Sequence, residues 1–329
     1  TTEAGSTSVV VTIDGVSRNA TVNSAGSWSV TFPKNDLPDA EDTYQLQVAV
    51  TDRAGNTATA SRDVEFDTFV NALSGGAVQE GSNTIFNASE IRDGITVSGQ
   101  VEAGSTVTVD FGGATYNATV DANGNWTLDL PASAFSAEEY SADLVVNARD
   151  AAGNVDSLTQ TIEIDAALPD TPEIFAETSV DDGYAAVWVQ DSVDTQAVYE
   201  VAQDNSVTLI ADENGAARVG GNNVFGFDEI VPDGSHLVVS ATDAAGNVSS
   251  TFMALDDPGN SNIDMSSVNT GLAGLEIEAI DLTFAEDTNL TLSLNQIEAF
   301  AENSTTLAIH GGDDDTVNIT GAVKTTATV

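Results

Sequence analysis

The chain has 329 residues, with 52 acidic and 8 basic side chains, and its formal net charge is −44. This charge excludes nucleic acid as a partner and electrostatic attachment to anionic lipid, because both need a basic surface. There is no cysteine, and no apolar run approaches a membrane span. Strict alternation of apolar residues argues against disorder, so salt adaptation or bound divalent cations remain as explanations of the charge.

The first segment alternates apolar and polar residues from Val9 to Phe66, which predicts half-buried strands. The same order of features returns 98 residues later, with Trp28 repeated as Trp126 and Asp67 repeated as Asp165. A period near one hundred residues is too long for a solenoid and is typical of tandem domains. Six to seven strands per repeat is the immunoglobulin-like pattern.

We therefore predict an all-β chain of tandem immunoglobulin-like β-sandwiches followed by a small β-rich C-terminal module. The first sandwich spans 1–67 and lacks the counterpart of residues 83–100, so the chain is expected to be a piece of a longer protein. The second spans 68–165. A divergent third sandwich covers 166–257, and the β-rich module, with one short helix near Leu294 to Ala301, covers 258–329.

One turn is written three times, as Asp-x-Ala-Gly-Asn, after a predicted strand. It is a plain turn in the simplest interpretation, because glycine adopts positive φ and aspartate caps the backbone locally. It is also suited to calcium, which takes six to eight carboxylate, amide and carbonyl oxygens. Each copy precedes an end-of-repeat aspartate, which favours calcium. The predicted metal ligands are Asp52, Asn56, Asp67, Asp150, Asn154, Asp165, Asp243, Asn247, Asp256 and Asp257.

These motifs resemble the bacterial immunoglobulin-like repeats of giant type I-secreted adhesins. The resemblance rests on Glu-Ala-Gly-Ser, Gly-x-Trp-x-x-x-x-Pro and Asp-x-Ala-Gly-Asn, and it covers 1–165 closely and 166–257 in part. Residues 280–283, 292–294 and 311–317 are similar to modules near the C-terminal ends of such adhesins. The resemblance implies calcium at domain junctions that stiffens a secreted, cell-surface stalk involved in attachment and biofilm formation. It implies a monomeric, elongated chain whose partner is a host, abiotic or neighbouring-cell surface.

Two alternatives remain open. The third sandwich could be a receptor- or glycan-binding tip, since it concentrates Tyr184, Trp188 and Tyr199 among carboxylates. The chain could also be a spacer in a filament or phage appendage, which needs no receptor. Gly311-Gly312-Asp313 resembles a single calcium β-roll repeat, but one copy cannot build a roll. No catalytic motif surrounds the two histidines, so we expect no enzyme.

Overall fold

The structure is a computed structural model, and it describes residues 2, 8–78, 84–265, 269–304 and 306–321. The first copy of the Glu-Ala-Gly-Ser motif, at residues 3–6, lies outside the described residues. By internal contacts the chain divides into two compact units that interleave along the sequence. The first unit holds 1–78, 96–130 and 143–161, and the second holds 79–95, 131–142 and 162–329.

The first repeat forms a four-stranded antiparallel sheet of order β2-β1-β5-β6 and a small β3-β4 hairpin. Val9, Val11 and Ile13 point to the buried face of β1, as their alternation predicts. The strands are β1 (Ser8–Ile13), β2 (Val16–Asn19), β3 (Thr21–Val22), β4 (Trp28–Ser29), β5 (Glu41–Thr51) and β6 (Thr57–Asp67), and a 3₁₀ turn covers Lys34–Asp36.

The second repeat has more strands and a short helix. These are β7 (Ser74–Ala77), β8 (Ile85–Asn87), α1 (Ala88–Ile91), β9 (Ile95–Gln100), β10 (Thr106–Phe111), β11 (Ala114–Asn117), β12 (Thr119–Val120), β13 (Asn125–Leu130), a 3₁₀ turn at Ala132–Ala134, β14 (Glu139–Arg149) and β15 (Val155–Asp165). In the first unit the sheets are β11-β10-β14-β15 and β12-β13-β9-β7. In the second unit, β8 runs parallel to the last three residues of β15.

The two repeated tryptophans differ in burial. Trp126 is fully buried, and its indole Nε1 donates to the Ser74 carbonyl of β7 at 3.0 Å, so it is a core residue. Trp28 is only half-buried.

The third sandwich lies wholly in the second unit and packs a sheet of order β16-β17-β21-β20 against β19-β18-β22-β23. Val187, Phe225 and Leu237 form the centre of its core. The strands are β16 (Ile174–Val180), β17 (Gly183–Gln190), β18 (Thr195–Val201), β19 (Val207–Asp212), β20 (Ala217–Val219), β21 (Asn222–Pro232), β22 (His236–Thr242) and β23 (Val248–Met253).

The C-terminal segment is a short parallel coil that continues the third sandwich. It contains β24 (Asn262–Asp264), α2 (Asn269–Leu272), β25 (Ile277–Asp281), β26 (Asn289–Ser293), α3 (Leu294–Phe300), β27 (Ala308–His310) and β28 (Thr316–Thr320). Successive strands alternate between two sheets. Asn262, Asn289 and Thr316 lie side by side at intervals of 27 residues, while β25 and β27 extend the sheet beyond β23. Helix α3 lies where one short helix was expected, and α2 is a second helix in the same segment.

Sheet and core are continuous across residue 257. Phe252 of β23 belongs to the same apolar cluster as Ile280, Leu290 and Phe300 of the coil. A coil of such short strands buries little apolar surface alone, and the outer face of β22 and β23 supplies the missing partner. The predicted boundary at 257/258 thus separates two segments that share one sheet and one core.

Candidate metal centres

The repeated turn closes through the same hydrogen bonds in all three copies. In the third copy, Asp243 Oδ1 accepts from the Asn247 backbone N–H at 2.9 Å and Oδ2 accepts from Asn247 Nδ2 at 2.8 Å. Gly246 occupies positive φ, which an L-residue with a Cβ rarely adopts. The equivalent bonds join Asp52 to Asn56 and Asp150 to Asn154.

The turn alone does not identify a metal site. Asp121 and Asn125, in the hairpin between β12 and β13, make the same pair of bonds, at 2.9 and 2.8 Å. What distinguishes the second and third copies of the repeated turn is an end-of-repeat aspartate that lies against each of them.

The first joint, defined as Asp67, Asp150 and Asn154, brings two carboxylates onto one amide. Asn154 Nδ2 donates to Asp67 Oδ1 at 2.7 Å and to Asp150 Oδ2 at 2.7 Å. Asp150 is almost fully buried, and Asn154 is half-buried. This contact joins residues 87 positions apart and places Asp67 against the turn of the following repeat.

Two further carboxylates, missed in the sequence, surround the first joint. Glu41 is the direct cross-strand neighbour of Asp67, and the Glu102 backbone N–H donates to the Asn71 carbonyl beyond β6. Burial raises the pKa of Glu41, and the charges of Glu102, Asp67 and Asp150 raise it further. The pKa of Asp67 is raised by burial and by the charges of Asp150 and Glu65. Negative charge is thus concentrated at this joint.

The pKa of Asp150 shifts in the opposite direction, because the N–H groups of its own turn donate hydrogen bonds to the carboxylate. Burial raises its pKa, but hydrogen bonds from Asn154, Gly153 and Ala152 outweigh burial, and the net direction is downward. Asp150 therefore keeps its negative charge close to Asp67 and Glu41. The repulsion falls on these two neighbours, whose charged forms are disfavoured.

The second joint, defined as Asp165, Asp243 and Asn247, repeats the charge pattern with different hydrogen bonds. Asn247 Nδ2 donates to the backbone carbonyl of Asp165 at 2.8 Å rather than to its carboxylate. The pKa of Asp165 is raised by burial and by the charges of Asp243, Glu139 and Asp194. Glu139 stands 98 residues after Glu41, so the fixed offset was the signal that could have revealed both glutamates.

The remaining predicted ligands lie elsewhere. Asp52 and Asn56 form an exposed turn at the end of β5, where hydrogen bonds from Asn56 lower the pKa of Asp52. Asp256 and Asp257 are not brought to the repeated turn. Asp256 Oδ1 accepts from the Glu286 backbone N–H at 2.7 Å, and Asp257 Oδ2 accepts from Asn260 Nδ2 at 2.9 Å, so both order the loops around the coil.

Asp256 and Asp257 also line a polar cavity of about 730 Å³ in the second unit, together with His236. The imidazole Nδ1 of His236 accepts from the Leu255 backbone N–H at 3.2 Å. Burial lowers the pKa of His236 to about 4, against the opposing charge of Asp257. The imidazole is therefore neutral near pH 7 and serves the packing of β22 against Phe252.

The residues of the first joint have the side-chain oxygens that calcium binds, but they do not form a complete coordination site. Within the described residues, no group of three or more acidic or histidine side chains is close enough to hold a metal ion. Two carboxylates, Asp67 and Asp150, converge on the Asn154 amide, whose N–H₂ stands between them. Because amide nitrogen and oxygen occupy nearly the same space, rotation of this amide presents a third oxygen. Carboxylate and amide oxygens are the ligands calcium prefers.

The aromatic residues predicted as a ligand platform do not form one surface. Tyr184 is buried in the sandwich core, and its hydroxyl accepts from the Asp256 backbone N–H at 3.1 Å. Tyr199 packs against the separate core of the coil. Trp188 alternates with the buried Val187 and Val189 and so lies on the outer face of β17, half-buried, near Thr178. The glycan-binding prediction now depends on Trp188 alone and stays a prediction.

The comparisons with known proteins agree with this architecture. Residues 1–68 and 81–166 match the family of bacterial Ig-like domains. The fold class and the resemblance expected from the sequence are confirmed. Comparison with curated proteins finds no significant match. In the part of the chain that the structure describes, no helix is long and apolar enough to span a membrane.

Several solved structures are similar to this chain. One, from a 1.5-MDa bacterial ice-binding adhesin that is retained at the host cell surface, is 27% identical over 76% of this chain and 85% of its own, with a TM-score of 0.39. A Ca²⁺-stabilized adhesin with which an Antarctic bacterium binds ice is 27% identical over 76% of this chain and 64% of its own, with a TM-score of 0.36. A bacterial immunoglobulin-like domain of the M. primoryensis ice-binding adhesin is 36% identical over 30% and 94%, with a TM-score of 0.20.

Proposed function

We propose that this chain is a spacer segment of a secreted bacterial surface adhesin, and that calcium at the first joint stiffens it. The observation that carries the proposal is the convergence of Asp67 and Asp150 on one amide, with Glu41 and Glu102 adding to the charge. Like charges at such a joint repel unless a cation neutralises them. The similarity to adhesin domains supports the same role.

In this proposal Asp67, Asp150 and Asn154 hold the ion, and Glu41 and Glu102 supply attraction for it. Calcium would contribute positive charge and several oxygen contacts at once. The backbone already positions two of these residues: the Asp150 turn is closed by its own N–H groups, and Asp67 ends the long strand β6. The joint then transmits orientation from one sandwich to the next, which is the property a stalk requires. The chain itself performs no chemistry in this role, and it acts outside the cell.

Thermal unfolding in calcium and in chelator tests the proposal. A ligand that binds only the folded state adds about 2.7 kcal/mol when present at a hundredfold excess over its dissociation constant. We expect millimolar calcium to raise the Tm of the chain clearly and the Asp67→Asn variant to lose most of that rise. Asp67→Asn keeps the shape of the side chain, and the turn closed by Asp150 does not depend on Asp67.

Asp121→Asn is the matched control, because Asp121 closes an equivalent turn away from either joint. It should retain the full calcium response. An equal response in both variants would mean that calcium binds elsewhere or only screens the net charge, and magnesium at the same ionic strength separates these two cases. No response in the unmodified chain would remove calcium from the proposal altogether.

A further inference from the structure

We infer that the second joint is locked by a protein clasp and keeps its geometry without calcium. The clasp is the segment 85–91, which comprises β8 and α1. This inference goes beyond the proposed calcium role, because the contacts at the second joint are hydrogen bonds between protein groups. Every residue of the clasp and of the second joint belongs to the second unit.

The clasp is anchored firmly to the end of the second repeat. Ile85, Phe86 and Asn87 pair in parallel with Glu163, Ile164 and Asp165, the last residues of β15. Asn87 then caps α1: its side chain accepts from the Glu90 backbone N–H while the Glu90 side chain accepts from the Asn87 N–H. A reciprocal capping box of this kind holds even a one-turn helix in place.

The anchored clasp donates two hydrogen bonds to the repeated turn of the third sandwich. The Ala88 N–H donates to Asn247 Oδ1 at 2.8 Å, and Asn87 Nδ2 donates to the Ala245 carbonyl at 3.2 Å. One residue past the helix, Arg92 forms an ion pair with Glu302 of the coil. Asn247 is 4% exposed and Ala245 is 1% exposed, so water competes poorly for these bonds.

Asn247 holds the joint because its amide is used on both sides. Its oxygen accepts from Ala88, and its nitrogen donates to Asp243 and to the Asp165 carbonyl. Rotation of the amide would set its N–H₂ against the Ala88 N–H and would lose all three bonds. The amide that can turn toward a cation at the first joint is therefore committed to protein partners at the second.

The test uses the full 329-residue chain, whose lack of cysteine allows site-specific spin labels. Ala137→Cys and Ala217→Cys place labels at exposed positions of the second repeat and the third sandwich. The distance distribution between the labels is measured by pulsed electron spin resonance in chelator. Ala88→Pro removes the donated N–H, yet proline suits the first position of a helix and the extended backbone of Asn87 before it.

In chelator we expect a narrow distribution in the labelled parent and one about twofold wider in Ala88→Pro and in Asn247→Ala, since unlocked domains move relative to each other. Ala88→Ser, which keeps the N–H, and Asn154→Ala at the first joint should leave the width unchanged.

If Ala88→Pro disturbs folding, Asn87→Ser with Arg92→Ala serves instead, because serine still caps α1 but is too short to reach Ala245. An unchanged width in the clasp variants, or a parent that is broad in chelator and narrows only with calcium, overturns the clasp. Neither result bears on calcium at the first joint.

Discussion

The two joints carry the same five-residue turn and the same pattern of carboxylates, yet they are held differently. At the first joint, Asn154 donates to two carboxylates and is half-buried. At the second, Asn247 is buried and is bonded on both faces of its amide by backbone groups. A repeated motif therefore does not imply a repeated mechanism, because the neighbours of the motif decide which of its atoms remain available to a cation.

The largest expected difference is in stability. Asp243→Ala removes the carboxylate that accepts from the N–H groups of Ala245, Gly246 and Asn247, and we expect it to cost about 1–3 kcal/mol. Asp52→Ala disrupts the same turn in water and should cost clearly less, because solvent replaces the lost bonds.

Urea unfolding can measure the two costs separately, since each sandwich contains one tryptophan. Trp188 reports the third sandwich and Trp28 the first, with the other tryptophans replaced by phenylalanine. Equal costs for the two aspartates would show that burial of the turn does not matter energetically, and the contrast between the joints would then be geometric only.

The next largest expected difference is in how the two joints respond to calcium. Labels at Ser61→Cys and Ala122→Cys span the first joint within the first unit. Adding millimolar calcium should narrow their distance distribution to about half its width in chelator, because the ion replaces repulsion by shared coordination. The Ala137/Ala217 pair should not change. A similar narrowing at both pairs would mean that the second joint also depends on the metal.

Acid should partly substitute for calcium at the first joint. The folded-state pKa values of Asp67 and Glu41 are raised, so the folded chain binds protons more readily than the unfolded chain. This stabilisation is fully present below the ordinary carboxyl pKa of about 4 and is lost as pH rises through the raised values. In chelator, the Ser61/Ala122 distribution should therefore be narrower in mild acid than at neutral pH.

His236 acts in the opposite direction in the third sandwich. Its pKa is lowered to about 4, so acid favours the unfolded state between its ordinary value of about 6.5 and that lowered value. The acid experiment is consequently evaluated at the first joint alone. A first joint that is insensitive to pH would indicate that its carboxylates do not repel one another enough to matter.

The smallest expected effect is that of Glu41→Gln. It removes one charge opposite Asp67 on an exposed strand end, where solvent screens most of the interaction. In chelator it should raise the Tm slightly, and in calcium it should weaken the response without abolishing it. Asp14→Asn, in the exposed turn between β1 and β2, provides the charge-matched control. A large loss of the calcium response would instead make Glu41 a direct ligand.

Much of the local structure could be predicted from the residue pattern within single segments of the sequence. Alternation placed Val9, Val11 and Ile13 on a buried face, and the Asp-x-Ala-Gly-Asn pattern implied a closed turn. The fixed order within each repeat identified Asp67 as an end-of-repeat aspartate, but it did not show that Asp67 lies against the turn of the next repeat. Glu41 escaped notice because its nearness to Asp67 depends on the register of β5 against β6, which the motif does not show.

The C-terminal coil shows a second limit. Its strands were recognised, but their parallel pairing at intervals of 27 residues and their attachment to β23 were not predicted. Short apolar runs such as 290–292 are compatible with several pairings. The partner is selected by the surface available, and here the outer face of β22 and β23 offers Val238 and Phe252.

The sequence by itself determined the tandem sandwich architecture, the acidic character and the identity of the turns, because periodicity, charge and glycine-dependent turn geometry are local properties. Only the tertiary structure decided that Asn154 faces two carboxylates while Asn247 is claimed by Ala88, a residue 159 positions away. A hydrogen bond across such a separation is set by how strands pair and stack. The chemistry available to two identical turns is thus decided by neighbours that the turn sequence does not encode.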